Sequence, residues 1–230
     1  MKRLLVLMAA IALILSVSAC YATVFVNRDY YWDDYSKVWR YNVVPRHYAG
    51  SAVWNAGSDF GRMGAGAPYI LESDVYVDAG GTLSVGPGVT VQIPGGCGVY
   101  AYGTLNAQGT AESHVTFTST SASPGPGSWE EIGFYGAGAS ASVMTYCDVT
   151  YGGSGAYRNK FNGYYNCYGS ILAWDCAPTF DHVTSSYSGN YAFWGRGACQ
   201  ATITVVSILV CKINLGCFLP VVVSLPEQAI

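Results

Sequence analysis

The sequence predicts an all-β fold, and three observations carry that prediction. Short segments that alternate apolar and polar side chains are punctuated by glycine and proline every few residues. Charged residues make up only 11% of the 230, beside 28 Gly and 19 Tyr, so the residues that favour long helices are sparse. Finally, the triplet Gly81-Thr82-Leu83 returns 22 residues later as Gly103-Thr104-Leu105, which suggests a stacked solenoid of short strands. A sandwich or jelly roll also has short strands and regular turns but does not require the triplet to return in register. A 14% aromatic content with so little charge excludes a disordered chain. A net charge of −3 offers no basic face for nucleic acid.

Residues 1–19 read as a signal peptide: Lys2 and Arg3, then an apolar run from Leu4 to Val17, then small residues. The run is too short and wrongly flanked for a spanning helix. Val17-Ser18-Ala19-Cys20 resembles the bacterial lipobox. That resemblance implies that Cys20 becomes the acylated mature N-terminus, a membrane partner through several chains on one residue. Ordinary cleavage after Ala19, leaving Cys20 a plain thiol, is the competing reading. Loss of Lys2 and Arg3 takes the formal charge to −5.

Residues 20–68 are expected to form a linker and an irregular N-terminal cap, because an open stack of strands leaves unpaired backbone that must be covered. They hold three of the six Trp and the cations Arg28, Lys37, Arg40, Arg46 and Arg62. Gly61-Arg62-Met63-Gly64-Ala65-Gly66 neither follows a clear strand nor opens a helix, so it reads as a loop and not a phosphate cradle. Residues 69–199 carry the repeat. Strands are predicted at Val75–Val77, Leu83–Val85, Val89–Ile93, His114–Thr118 and Glu131–Phe134, with Val85, Val91, Leu105, Val115, Phe117, Ile132 and Phe134 facing inward. A looser match, Asp148-Val149-Thr150 with His182-Val183-Thr184, has an offset of 34 and fits a coil with a loop extruded near 152–168.

Thr82-Leu83-Ser84-Val85-Gly86-Pro87-Gly88-Val89-Thr90-Val91 resembles the strand–Pro-Gly–strand unit of bacterial right-handed parallel β-helix proteins of the pectate-lyase-like type. Gly103 to Thr110, Val115 to Ser119, Trp129 to Phe134, Tyr146 to Gly153 and Ala177 to Val183 are similar to the segments that follow it there. The resemblance implies a single-stranded right-handed parallel β-helix. It implies little about activity, because that scaffold hosts lyases, hydrolases, adhesins and passive surface proteins.

Between Gly64 and Tyr157 there is no Lys or Arg, against seven carboxylates: Glu72, Asp74, Asp78, Glu112, Glu130, Glu131 and Asp148. A polyanionic substrate is repelled by such a stretch unless calcium intervenes, so calcium is expected only for an enzyme and no cofactor otherwise. Glu130 and Glu131 read as solvated turn carboxylates. Asp148, Asp175, Asp181 and His182 are the catalytic candidates, since a 34-residue coil brings Asp148 beside His182 for glycoside hydrolysis or general-base chemistry. Polar decoration of an exposed strand is the competing reading. Seven cysteines follow Cys20 without a C-x-x-C pair, which argues against zinc. A Cys167–Cys176 bridge and buried free thiols stand as alternatives. Every Tyr and Trp lies between Tyr21 and Trp194, which fits core filler or a glycan- or partner-binding strip.

Residues 200–230 form an atypical apolar tail, read as final strands, a membrane segment, or a truncated or frame-shifted end. The sequence thus predicts a lipid-anchored protein of the bacterial cell envelope, facing the surface or the periplasm. The expected function is a non-catalytic surface, adhesion or glycan-binding module. The alternative is a polysaccharide lyase or glycoside hydrolase using the carboxylates named above, and a plain structural role comes third.

Overall fold

The computed structural model describes residues 24–56, 68–155, 157–158, 165–166, 169–209, 212–214 and 221–223. The signal peptide, Cys20, the loop 61–66 and Cys167 lie outside them. The chain begins with β1 (Val24–Phe25) and an antiparallel hairpin of β2 (Arg28–Asp33) and β3 (Val38–Val43). Triplets of short strands follow: β4 (Arg46–Tyr48), β5 (Ser51–Trp54) and β6 (Tyr69–Ile70); β7 (Val75–Val77), β8 (Thr82–Val85) and β9 (Thr90–Ile93); β10 (Val99–Ala101), β11 (Thr104–Gln108) and β12 (Val115–Ser119). Then come β13 (Ile132–Tyr135), a 3₁₀ turn at Ala137–Ala141, and β14 (Val143–Thr150). A small hairpin of β15 (Tyr157–Arg158) and β16 (Tyr165–Asn166) pairs only with itself. The chain continues with β17 (Gly169–Trp174), β18 (Thr179–Ser186), β19 (Tyr191–Arg196), β20 (Thr202–Leu209), β21 (Lys212–Asn214) and β22 (Val221–Val223).

Two large sheets result, and every pairing within them is parallel. The first runs β4-β7-β10-β13-β17-β19-β21; the second gathers β1, β5, β6, β8, β9, β11, β12, β14, β18, β20 and β22. The fold is therefore all-β with parallel sheets, as the alternation and composition predict, and no α-helix occurs among the described residues. No helix there is long and apolar enough to cross a membrane.

Register explains the composition. Val75, Val99, Ile132, Ile171 and Phe193 succeed one another in one column. Val85, Ala107, Met144, Phe180 and Ile203 form another in the second sheet. Phe134 lies between Ala101 and Ala173, so a large side chain is flanked by small ones and the column keeps its density. Phe180 meets Phe134 and Phe193 edge-on at 5.5 and 5.6 Å, which joins the two sheets over one core. All seven residues predicted to face inward are buried, each contributing about 1.5–3 kcal/mol.

The 22-residue repeat is real: Thr82 pairs with Thr104 and Leu83 with Leu105. Its glycine has a steric cause. A Cβ at Gly81 would run into the carbonyl of Tyr48, and one at Gly103 into those of Asp78 and Gly81. The looser repeat is off by two. Asp148 pairs with Thr184 and Val149 with Ser185, because the left-handed corner residues Tyr146 (φ 47°) and His182 (φ 50°) align with each other. A two-residue slip preserves which face each side chain takes, so alternation alone does not detect it.

One sequence expectation changes at the N-terminal end. Strands β4 and β5 already belong to the sheets and β1 pairs with β6, so pairing starts well before residue 69. Strands β4 and β5 are short and only Trp54 in them is buried, which conceals the alternation that marks later strands. At the other end β20 pairs with β18 along its length, and β21 and β22 extend the two sheets.

Candidate functional site

The catalytic candidates are not brought together as the 34-residue offset suggested. Asp148 bonds His114, its Oδ2 at 3.0 Å from Nδ1, while His182 Nδ1 bonds Asp181 Oδ1 at 2.9 Å. The corrected register places Thr184, not His182, opposite Asp148. Asp175 sits in the left-handed region (φ 52°), and its carboxylate accepts the Ala198 N–H at 2.6 Å. It closes a turn rather than facing the other carboxylates.

What the fold does assemble is a corner stack. The rings of His114, Tyr146 and His182 lie in series, at 5.7 Å and 4.5 Å between centroids. Each histidine engages an aspartate through Nδ1, leaving Nε2 to face other groups. The remaining histidine, His47, bonds Asp78 in the same way at 2.9 Å. All three histidines of the chain are thus oriented by aspartates. Sequence reasoning missed His114; its signal was a second His just before a strand, β12, that pairs with β14. Among the described residues no group of three or more His, Cys, Asp or Glu side chains is arranged to hold a metal ion.

Glu130 and Glu131 are not the solvated carboxylates expected after Trp129. They are 4% and 1% exposed. Tyr100 donates its hydroxyl to Glu130 Oε2 at 2.6 Å, and Tyr135 donates to Glu131 Oε1. Trp129 is fully buried beside them and donates Nε1–H to the Thr150 carbonyl at 2.8 Å. The cause is stacking along the first sheet: Tyr76 packs on His47 at 4.7 Å and on Tyr100 at 5.3 Å. Trp174 continues the row beyond Tyr135, with the Arg196 guanidinium 4.5 Å above its ring. Tyr76 donates to Asp74 at 3.2 Å, and Asp74 also accepts the Gly98 N–H. Glu72 takes two hydrogen bonds from Arg28 at 2.6 and 2.8 Å, which hold its carboxyl below the usual range and raise the guanidinium further.

Six of the seven carboxylates between Gly64 and Tyr157, Glu72, Asp74, Asp78, Glu130, Glu131 and Asp148, are therefore engaged by side chains of the fold, although the Asp78–His47 pair is exposed. The negative stretch is not one open acidic face. Cys147 and Cys176 are free thiols, while Cys167, the other half of the expected bridge, lies outside the described residues. Burial is the largest cause that pushes both up, Cys176 to about 12 and Cys147 further.

A concave feature among the described residues lies elsewhere, on the outward side of β5, β8 and β11. Val53, Ser84 and Asn106 stand in register across these strands and form the floor of a cleft of about 390 Å³. Asn55, the Gly86-Pro87 turn, Gln108, Gly109 and Thr110 form its rim. Asn55 is held from below: its N–H donates to the Tyr69 hydroxyl at 3.1 Å, and Tyr69 stacks on Trp54 at 5.1 Å. Gly86 leaves room for the Asn55 amide, which a Cβ would meet at 2.7 Å. Asn106 Oδ1 is shielded from solvent and has no hydrogen-bond partner among the described residues. The lining is amides, hydroxyls, backbone and the three apolar side chains Val53, Val85 and Pro87, with no ionisable group. Such a surface matches the paired donors and acceptors of a neutral, hydroxyl-rich ligand. Sequence reasoning missed it because an outward Asn or Gln on a strand looks like ordinary solvated decoration.

Comparison with known protein families, with curated proteins and with solved structures returned no match to this chain.

Proposed function

We propose that this chain is a lipid-anchored protein of the bacterial envelope whose coils wind as a single-stranded right-handed parallel β-helix and whose outward cleft binds a neutral glycan without turning it over. The winding is supported by columns such as Val75, Val99, Ile132, Ile171 and Phe193, one residue from each successive pass of the chain. Parallel crossovers of this kind are right-handed in about 98% of cases. The anchor rests on the lipobox-like Val17-Ser18-Ala19-Cys20. The observation that carries the binding function is the uncharged cleft of Asn55, Ser84, Asn106, Gln108 and Thr110. Proton transfer needs an ionisable group within reach, and none lines the cleft. The carboxylates Asp148 and Asp181 are occupied in orienting His114 and His182.

Calorimetric titration against neutral and acidic polysaccharides, with a reducing-end assay run in parallel, tests this reading. Binding of a neutral glycan without release of reducing ends is expected. Asn106→Ala and Gln108→Ala should each weaken it about tenfold, the value of one hydrogen bond at about 1–1.5 kcal/mol. Depolymerisation that disappears in Asp181→Asn would establish the enzyme instead. Acyl label incorporated equally well by Cys20→Ser would remove the anchor.

A further inference from the structure

The geometry points to the β2–β3 hairpin as a membrane-docking element that lies in the headgroup layer of the bilayer holding the acyl anchor, an inference that rests on the lipid-anchored reading of Cys20. The hairpin projects from the body. Tyr30 is 59% exposed, Trp32 44% and Tyr35, in the connecting turn, 97%. Tyr31, Val38, Tyr41 and Val43 are exposed as well. Register sets Tyr30 opposite Tyr41 and Trp32 opposite Trp39, and the exposed rings of Tyr30, Trp32 and Tyr41 share one ribbon face. So many exposed aromatic rings on one element mark a surface that meets something.

The base of this ribbon is rigid although its faces are bare. Asn27 is fully buried, donates to the Val44 and Asp74 carbonyls at 3.0 Å, and accepts the Glu72 N–H. Arg28 makes its paired bonds to Glu72 while stacking 3.4 Å over Phe25 and 4.0 Å over Tyr41. Arg46 donates to the Val26 and Arg28 carbonyls from the next strand. The hairpin is held out as a fixed arm.

The chain length between anchor and arm selects the bilayer as its occupant. Val24 is four residues beyond Cys20, so the first sheet strand stands at most about 14 Å from the acylated residue. The hairpin starts four residues later still, at Arg28, with strands of six residues, roughly 20 Å long. That exceeds the gap and the headgroup layer, which is roughly 5–8 Å deep on each side. Tyr and Trp are the side chains that favour this layer, an apolar ring with a polar edge. Charge does not supply the attraction: Lys37 pairs with Asp34 at 3.7 Å and Arg40 with Asp33 at 2.5 Å. Docking should therefore be insensitive to salt, unlike a polybasic contact.

The test uses the full-length protein in phosphatidylethanolamine–phosphatidylglycerol vesicles, part of whose lipid carries bromine on the acyl chains. Tryptophan emission is expected to be quenched by bromine, equally at low and high salt. The quenching should fall about twofold or more in Trp32→Phe/Trp39→Phe, whose fold is verified by circular dichroism. Quenching unchanged in that variant overturns the proposal, as does a Trp32 response that needs only protein concentration and no lipid, the mark of self-association. The mass of the mature N-terminus separates the two ideas: an acylated chain without quenching removes the docking alone, and an unmodified chain without quenching removes both.

Discussion

Replacing Gly98 by alanine should destabilise this protein far more than one methyl group suggests. Gly98 precedes β10 in ordinary backbone geometry, so the effect is spatial and not conformational. A Cβ there would lie 2.6 Å from the Glu131 carbonyl oxygen and 2.7–2.9 Å from the hydroxyl and ring of Tyr100. Unstrained carbon–oxygen contacts begin near 3.3 Å, so the methyl overlaps the Glu131 carbonyl oxygen by about 0.7 Å. Overpacking of this kind costs about 1–3 kcal/mol. Lifting Tyr100 also breaks its 2.6 Å bond to the buried Glu130, a further loss of about 1–3 kcal/mol. The sum centres near 4 kcal/mol, a large part of the roughly 5–15 kcal/mol that holds a typical domain. With a urea slope of about 3 kcal/mol per molar, the unfolding midpoint should fall by about 1–1.5 M when followed by tryptophan fluorescence. Gly50, around which a Cβ meets nothing within 4 Å, is the control, and Gly50→Ala should move the midpoint by less than about 0.3 M. In a Tyr100→Phe background the hydrogen-bond share is already lost, so Gly98→Ala should then cost about 1–3 kcal/mol less. A Gly98→Ala midpoint within about 0.3 M of the parent would refute the close-approach reasoning.

Two further outcomes follow from burial and charge. Native protein treated with iodoacetamide at about pH 8 should leave Cys147 and Cys176 unmodified, since burial keeps both thiols protonated and out of reach; peptide mass mapping with and without urea reads this, and native labelling at either would contradict the core described above. The Arg28–Glu72 pair lowers the Glu72 pKa in the folded chain, so its stabilisation is present above the unfolded carboxylate value of about 4.3 and is lost as pH falls through the lower folded value. Glu72→Gln should therefore be less stable by about 1 kcal/mol near pH 7 and equal to the parent near pH 2, in melting temperatures taken across that range; a difference that persists in acid would assign the loss to packing.

How much was legible beforehand depended on whether a residue's role was local. Alternation in Thr82–Val85 and Thr90–Ile93 exposed inward and outward faces directly, because strand geometry repeats every two residues whatever surrounds it. The Gly-Thr-Leu triplet exposed a pairing register, because the same steric demand recurs just before each of two paired strands. Where the connections between paired strands differ in length that advantage vanished. The partner of Asp148 shifted by two residues, and His114 took the place expected of His182.

The sequence by itself therefore determined an all-β chain, the identity of its core side chains and its paucity of cations. These follow from composition and period, which need no knowledge of neighbours. Only tertiary structure decided that Glu130 and Glu131 go inward beneath tyrosines, that each histidine takes an aspartate, and that plain amides on β5, β8 and β11 line a cleft. A polar side chain's environment is set by the strands paired on either side of it. Those contacts join residues far apart in the chain, whose separation depends on loops that carry no periodic signal.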